Sequence, residues 1–352
     1  MVGESYMNIE STKQVYDHLA DDISRFIYEK RIMWSLTQND EYIADIIKSM
    51  MGKHKADEMM KHAEEVSGKL AVRGLGNEFQ TLLRYYPGLS FSIIVDQDPV
   101  KLAAGVHTDG HPIVSPKDFY EEYSDYYTII ASSMYQEEIE QELKSHNIPE
   151  DHIFNFGALS QSTEQYFEEG IIRPIENEVF IDGGCYDGMT IRRFVKWCRG
   201  EYESIYSFEP DKRNYKLAVK RMKDDPLHNV TIINKGLWND DTELYFDESG
   251  TQGSGIVDSN DGTVIQTTSI DNVLNGNRAT FIKLDVEGAE YEALTGAENT
   301  IRKYHPRMAI SIYHKPEDVF VLPELILSFS EDYRFYIRHY QMSRYETILY
   351  AL

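Results

Sequence analysis

The stretch Val179–Phe194, VFIDGGCYDGMTIRRF, decides the fold. A short apolar run ends in Asp182, a glycine-rich turn follows with Gly183, Gly184 and Gly188, and a helix-forming segment starts near Thr190. Strand, tight turn and helix in this order form the unit that holds nucleotide-like ligands at the carboxyl end of a parallel sheet. Glycine lets backbone pass close to a ligand where a Cβ would collide. Cys185 sits inside the turn and reads as a small residue that fits there rather than as a nucleophile. Alone, the pattern is also what a purely structural glycine turn produces.

The next segment narrows the choice. SIYSFEP, Ser204–Pro210, reads as a second strand ending in an acid, Glu209. In a βαβ unit such an acid faces the first glycine turn and can accept hydrogen bonds from both ribose hydroxyls. VTIINKGLWND (Val230–Asp240) supplies a third strand and a turn, and ATFIKLDVEGAEYEAL (Ala279–Leu294) a fourth, ending in Asp285 and Glu287 and running into a helical pattern. RMAISIYHKPED (Arg307–Asp318) makes a fifth, ending at His314, and YRFYIRHY with ETILYAL closes the chain as an extended hairpin.

FIDGGCYDG, SFEPDKRNY, FIKLDVEGAE and AISIYHKPED, in this order, resemble the FkbM family of S-adenosylmethionine-dependent methyltransferases, over roughly Phe156–Leu352. The resemblance implies an α/β fold: a C-terminal Rossmann-like class I methyltransferase fold, with a seven-stranded sheet and a terminal β-hairpin. It implies an O-methyltransferase acting on a hydroxyl of a small molecule, sugar or glycan, with S-adenosylmethionine as cofactor. On that reading Asp182, Gly183, Gly184, Cys185, Gly188 and Thr190 form the methionine-side turn, Glu209 holds the ribose, and Gly236, Leu237 and Trp238 border the adenine.

Transfer to an alcohol is an in-line displacement that also has to remove a proton, so alignment and a positioned base are both required. Asp285, Glu287 and His314 stand at the strand ends where acceptor and methyl group should meet, and His314 is the expected base. Each has a competing reading: Asp285 as a partner of the cofactor's amino group, Glu287 as a helix cap, His314 as a structural histidine. The three could together hold Mg²⁺, but the pattern lacks closely spaced acids, so no metal is expected. Asp247–Gly262, loop-like and polar, is a candidate lid or acceptor-binding loop.

The first half has its own organisation. Residues 1–66 are expected as a helical segment, with Val15, Leu19, Asp22, Phe26 and Met33 near heptad spacing. Residues 67–155 read as a smaller degenerate Rossmann-like domain: KLAVRGLGNEFQTLL gives a second strand–turn–helix with Gly74 and Gly76, and LSFSIIVDQDP a strand ending in Asp96. Phe79 occupies the place of the third glycine and should crowd the helix against the strand, which favours a scaffold over dinucleotide binding. Residues 156–352 are the expected methyltransferase domain.

With 59 acidic against 35 basic residues the net charge is −24, which disfavours phosphate backbones and polybasic membrane anchoring. A neutral acceptor suits this surface, and nucleic acid is not expected. No apolar run reaches membrane-spanning length, and MVGESYMNIESTKQ lacks the parts of a signal peptide, so a cytoplasmic enzyme is expected. Two cysteines without a CxxC pairing argue against a zinc site or a disulfide framework. The N-terminal helices are a plausible homo-oligomer surface. The competing functions are a nicotinamide-dependent sugar-modifying oxidoreductase or epimerase, and a non-catalytic scaffold in glycan assembly.

Overall fold

The structure, a computed structural model, describes residues 8–50, 61–62, 65–66, 68–86, 88–132, 135–159, 165–224, 226–246, 263–341 and 343–352. The chain divides into two compact units, one of residues 1–38, 164–339 and 345–352, the other of residues 39–163 and 340–344. The helical segment expected as one piece is therefore parted between them near Gln38.

In the unit built on residues 39–163, five parallel strands form one sheet: β1 (Leu70–Arg73), β2 (Ile93–Val95), β3 (Ile113–Val114), β4 (Tyr127–Ile130) and β5 (Ile153–Asn155). Their order, β3-β2-β1-β4-β5, is that of a doubly wound sheet. Ala71, Ile93, Val95, Phe119, Ile130, Leu143 and Ile148 form a buried core cluster in this unit. The strands at β3 and β5 are two or three residues long and give too short a period to read from sequence. Phe79 is fully buried and packs edge-on to Phe91 and His107, with ring centroids 5.8 and 5.4 Å apart. Its ring is thus core beneath the helix Asn77–Tyr85.

The other unit opens with the helices Ile9–Asp17 and Asp22–Thr37. The second starts at Asp21, whose carboxylate accepts the Ser24 N–H at 2.8 Å as an N-cap should. Its buried face is Ser24, Ile27, Tyr28, Arg31 and Trp34, spaced by three and four residues. Asp22 and Met33, placed on the apolar stripe by the heptad reading, are exposed instead. This helix belongs with the C-terminal sheet. Ile337 N–H donates to Ser24 Oγ at 2.9 Å, and Arg338 Nη2 pairs with Asp21 at 2.6 Å.

The strands of that sheet are β6 (Glu178–Gly183), β7 (Tyr202–Phe208), β8 (Val230–Ile233), β12 (Phe281–Leu284), β13 (Arg307–Ser311), β14 (Phe335–His339) and β15 (Thr347–Ala351). Between β8 and β12 in sequence, β9 (Gly236–Leu237), β10 (Glu243–Phe246) and β11 (Thr263–Thr268) form a small sheet of their own in the order β10-β11-β9. The main sheet runs β14-β15-β13-β12-β6-β7-β8. The five strands from β13 to the β8 edge are parallel, and β15 runs antiparallel to both neighbours. Strands β6 and β12 are buried along their whole length, as strands covered on both faces must be. This is the mixed α/β architecture expected, and it gathers the carboxyl ends of β6, β7, β12 and β13 along one edge. The candidate lid, Asp247–Gly262, lies outside the described residues.

Candidate functional site

The glycine turn after β6 is held from both sides. Gly184 N–H and Cys185 N–H both donate to Phe208 O on β7 at 3.0 Å, and Gly188 N–H donates to Cys185 O at 2.8 Å. Gly184 has φ +76°, and a Cβ there would lie 1.9 Å from Asp285 O, so backbone from two strand ends meets where only glycine fits. A Cβ on Gly183 would strike Leu237 Cδ1 at 2.8 Å, which puts β9 against the same turn. Gly188 (φ +84°) is the residue preceding the helix Met189–Trp197, in whose first turn Thr190 lies. Burial pushes the Cys185 thiol up, so it stays a neutral, inert side chain.

Glu209, just past the end of β7, closes the other side. Its Oε2 accepts Tyr186 N–H of the glycine turn at 2.9 Å and its Oε1 accepts Asp211 N–H at 3.0 Å. Burial outweighs these backbone donors and pushes the carboxyl up to about 7. Gly236 stands close to Pro210, the residue after the acid, and Trp238 N–H donates to Thr268 O at 2.9 Å. The Asp182 carboxylate takes a different course from the expected one. It is fully buried, 3.3 Å from Lys283 Nζ and within 3.4 Å of the Ser207 hydroxyl, and so serves the turn from beneath.

At the ends of β12 and β13, Asp285 is a hub. Its Oδ1 accepts the hydroxyls of Ser311 and Tyr313, each at 3.0 Å, and its Oδ2 accepts Tyr166 OH at 2.9 Å. Burial pulls the carboxyl upward, but Lys283, then His314 and the tyrosine hydroxyls, hold it below the usual range. His314 Nε2 lies 3.5 Å from Asp285 Oδ1 and 3.6 Å from Glu287 Oε2, and Nδ1 lies 2.9 Å from the buried carboxylate of Glu290. Burial disfavours the imidazolium, but Glu290, Asp285 and Glu287 together push the ring up to about 10. A ring charged at neutral pH cannot accept a proton, which removes the ground for expecting His314 to be the base. Glu287 is half-exposed at the rim, with φ +55°, and burial raises its carboxyl. Asp285, Glu290 and His314 also offer ligand atoms within 4.8 Å of one another.

The sequence-derived residues thus converge on one edge of the sheet. Sequence reasoning passed over Lys283, Tyr166, Glu290, Ser311, Tyr313 and Glu346. Lys283 carried a signal, a lysine inside the apolar run FIKL. Tyr166 comes from a segment without periodicity. Glu346 lies next to the last strand, where Tyr313 OH approaches it at 3.5 Å and burial pushes it up to about 7.

Residues 182–337 match the family model described as the methyltransferase FkbM domain. A solved FkbM methyltransferase from Methylobacillus flagellatus aligns with TM-score 0.51 and 20% identity, covering 90% of this chain and 100% of its own. That likeness is one of fold. Fibrillarin from Aeropyrum pernix, solved with natively bound S-adenosyl-L-methionine, aligns at TM-score 0.35 and 11% identity, over 54% of this chain and 73% of its own. A precorrin-6y C5,15-methyltransferase from Geobacter metallireducens aligns at TM-score 0.34 and 12% identity, over 51% and 82%. No curated protein sequence matches the chain. Among the described residues no helix is long and apolar enough to cross a membrane.

Proposed function

We propose that the FkbM domain uses S-adenosylmethionine to methylate a hydroxyl of a small molecule, sugar or glycan. The observation that carries this reading is Glu209, a buried carboxylate bound to Tyr186 N–H across the glycine turn. Its position is that of an acid that receives ribose hydroxyls, and an uncompensated buried carboxyl gains from new donors. The crowding at Gly183 and Gly184, against Leu237, Leu284 and Asp285 O of the chain itself, fixes the backbone of the turn. Glu209 would hold the ribose, Gly183–Gly188 the methionine side, and Gly236–Trp238 the adenine edge. When bound, the cofactor supplies an electrophilic methyl group on a sulfonium.

This chain's residues then align and deprotonate. Glu287 is the proposed proton acceptor, since its carboxyl is raised and its side chain reaches the rim. His314, kept charged by Glu290, and Asp285, fixed by three hydroxyls, position it and balance charge. The acidic surface suits a neutral acceptor.

The unit built on residues 39–163 is proposed as a scaffold, on a firmer ground than Phe79. Asp96, the counterpart of Glu209, accepts Leu75 N–H at 2.8 Å and Asp98 N–H at 2.9 Å, but Lys101 Nζ already sits 3.1 Å from it. An internal ammonium takes the place that ribose hydroxyls would need. Transfer of isotopically labelled methyl groups from S-adenosylmethionine to a panel of sugars and glycan fragments tests the proposal. Labelled O-methyl ethers support it, and label found only on nitrogen or carbon acceptors refutes the hydroxyl assignment.

A further inference from the structure

Lys283 lies in the middle of β12 with a side chain only 1% exposed. Its Nζ donates to Gly183 O and to Gly184 O, each at 2.7 Å, lies 3.3 Å from Asp182 Oδ1, and faces the Tyr166 ring 5.2 Å from its centroid. The same turn gives its N–H groups to β7: Gly184 and Cys185 to Phe208 O, Tyr186 to Glu209. Strand β7 and the residue after it thus hold the donors, while the Lys283 ammonium holds the acceptors, Gly184 O by itself and Gly183 O together with Asp285 N–H at 3.1 Å. Two donor directions of the ammonium are used on carbonyls, and the Asp182 carboxylate faces it as an ion pair. Asp182 and Asp285 keep it charged despite burial. An apolar side chain would fill this space without the cost of desolvating a charge.

We infer that Lys283 is a positioning residue for the cofactor: by anchoring the carbonyls of Gly183 and Gly184 it presets the glycine turn in its ligand-ready shape. The inference rests on reading that turn as the S-adenosylmethionine site. Lys283 touches neither substrate nor reacting atoms and acts through the two peptide groups. Preset backbone spares a ligand the entropy of ordering it, so the effect belongs to affinity.

A bare counter-ion to Asp182 is the competing role, and a double-mutant cycle separates the two. S-adenosylhomocysteine is titrated calorimetrically into the full chain as wild type, D182N, K283M and D182N/K283M, with thermal midpoints measured alongside. In the D182N background the Asp182 carboxylate no longer needs neutralising, yet K283M should still weaken binding at least about tenfold, the loss expected for charge-assisted bonds. Affinity for D182N/K283M within about twofold of D182N overturns the inference. Should a variant not fold, or bind too weakly to measure, hydrogen exchange on the ligand-free wild type decides. Amides of residues 184–188 protected before ligand is added support a preset turn, and exchange as fast as an open loop, slowed only by ligand, refutes it. A wild type that does not bind S-adenosylhomocysteine fails the cofactor reading, and exchange at residues 184–188 in K283M against wild type then decides the role of Lys283: faster exchange in K283M supports it and equal exchange refutes it.

Discussion

His314 Nδ1 stands 2.9 Å from Glu290, whose side chain is 1% exposed, and this pair sets the electrostatics at the carboxyl ends of β12 and β13. With Asp285 and Glu287 on its other nitrogen, the imidazole is a structural cation. Its raised value, about 10 against 6.5, makes a prediction about pH with a definite sign. The stability it contributes is fully present below about pH 6.5 and is lost as pH rises through about 10. Thermal midpoints of wild type and H314Q, followed from pH 6 to 11, should converge at the alkaline end. A constant gap across that range would contradict the buried imidazolium.

Glu287→Gln should lower methyl transfer by about 10²–10⁴, the usual contribution of a positioned base, while S-adenosylhomocysteine affinity stays within a few-fold. Single-turnover rates with an acceptor from the labelled-methyl screen check this. Wild-type turnover in E287Q would move the proton acceptor elsewhere, with Glu346 the next carboxyl to test.

Glu209→Ala should weaken S-adenosylhomocysteine binding at least about tenfold in calorimetry with folding intact, since hydrogen bonds to charged groups contribute about 1.5–3 kcal/mol each. With the carboxyl titrating at about 7, wild-type affinity should also rise between pH 6 and 8 as the acceptor ionises, and the alanine variant should lose that rise. A pH-independent affinity would place the ribose away from Glu209.

Asp96→Asn should leave S-adenosylhomocysteine affinity unchanged and lower the thermal midpoint. Asp96 holds Leu75 N–H, Asp98 N–H and Lys101 within its own unit, and loss of a buried charge-assisted bond costs about 1–3 kcal/mol. Loss of cofactor affinity in that variant would show that the scaffold reading of residues 39–163 is wrong.

Much of this edge was legible in sequence because parallel strands buried on both faces read as apolar runs, and the polar residues ending them line one edge. Val179–Asp182 and Phe281–Asp285 gave that signal, and Glu209 followed from βαβ spacing. What escaped was set by tertiary placement. His314 looked like a base at a strand end, but the three carboxylates around it come from Asp285, Glu287 and Glu290, and it is their convergence that pushes the ring up. Met33 fitted a heptad drawn through the break at His18–Asp21, whereas the helix restarts at Asp21 and turns another face inward. Lys283 stood in plain view, yet its partners are peptide oxygens, which no side-chain pattern reports.

The most direct test of the central claim is a calorimetric titration of the full chain with S-adenosylhomocysteine beside a matched titration with NADH. The account predicts one saturable S-adenosylhomocysteine site, weakened by Glu209→Ala, and no saturable NADH signal. Saturable NADH binding with no response to S-adenosylhomocysteine would contradict it.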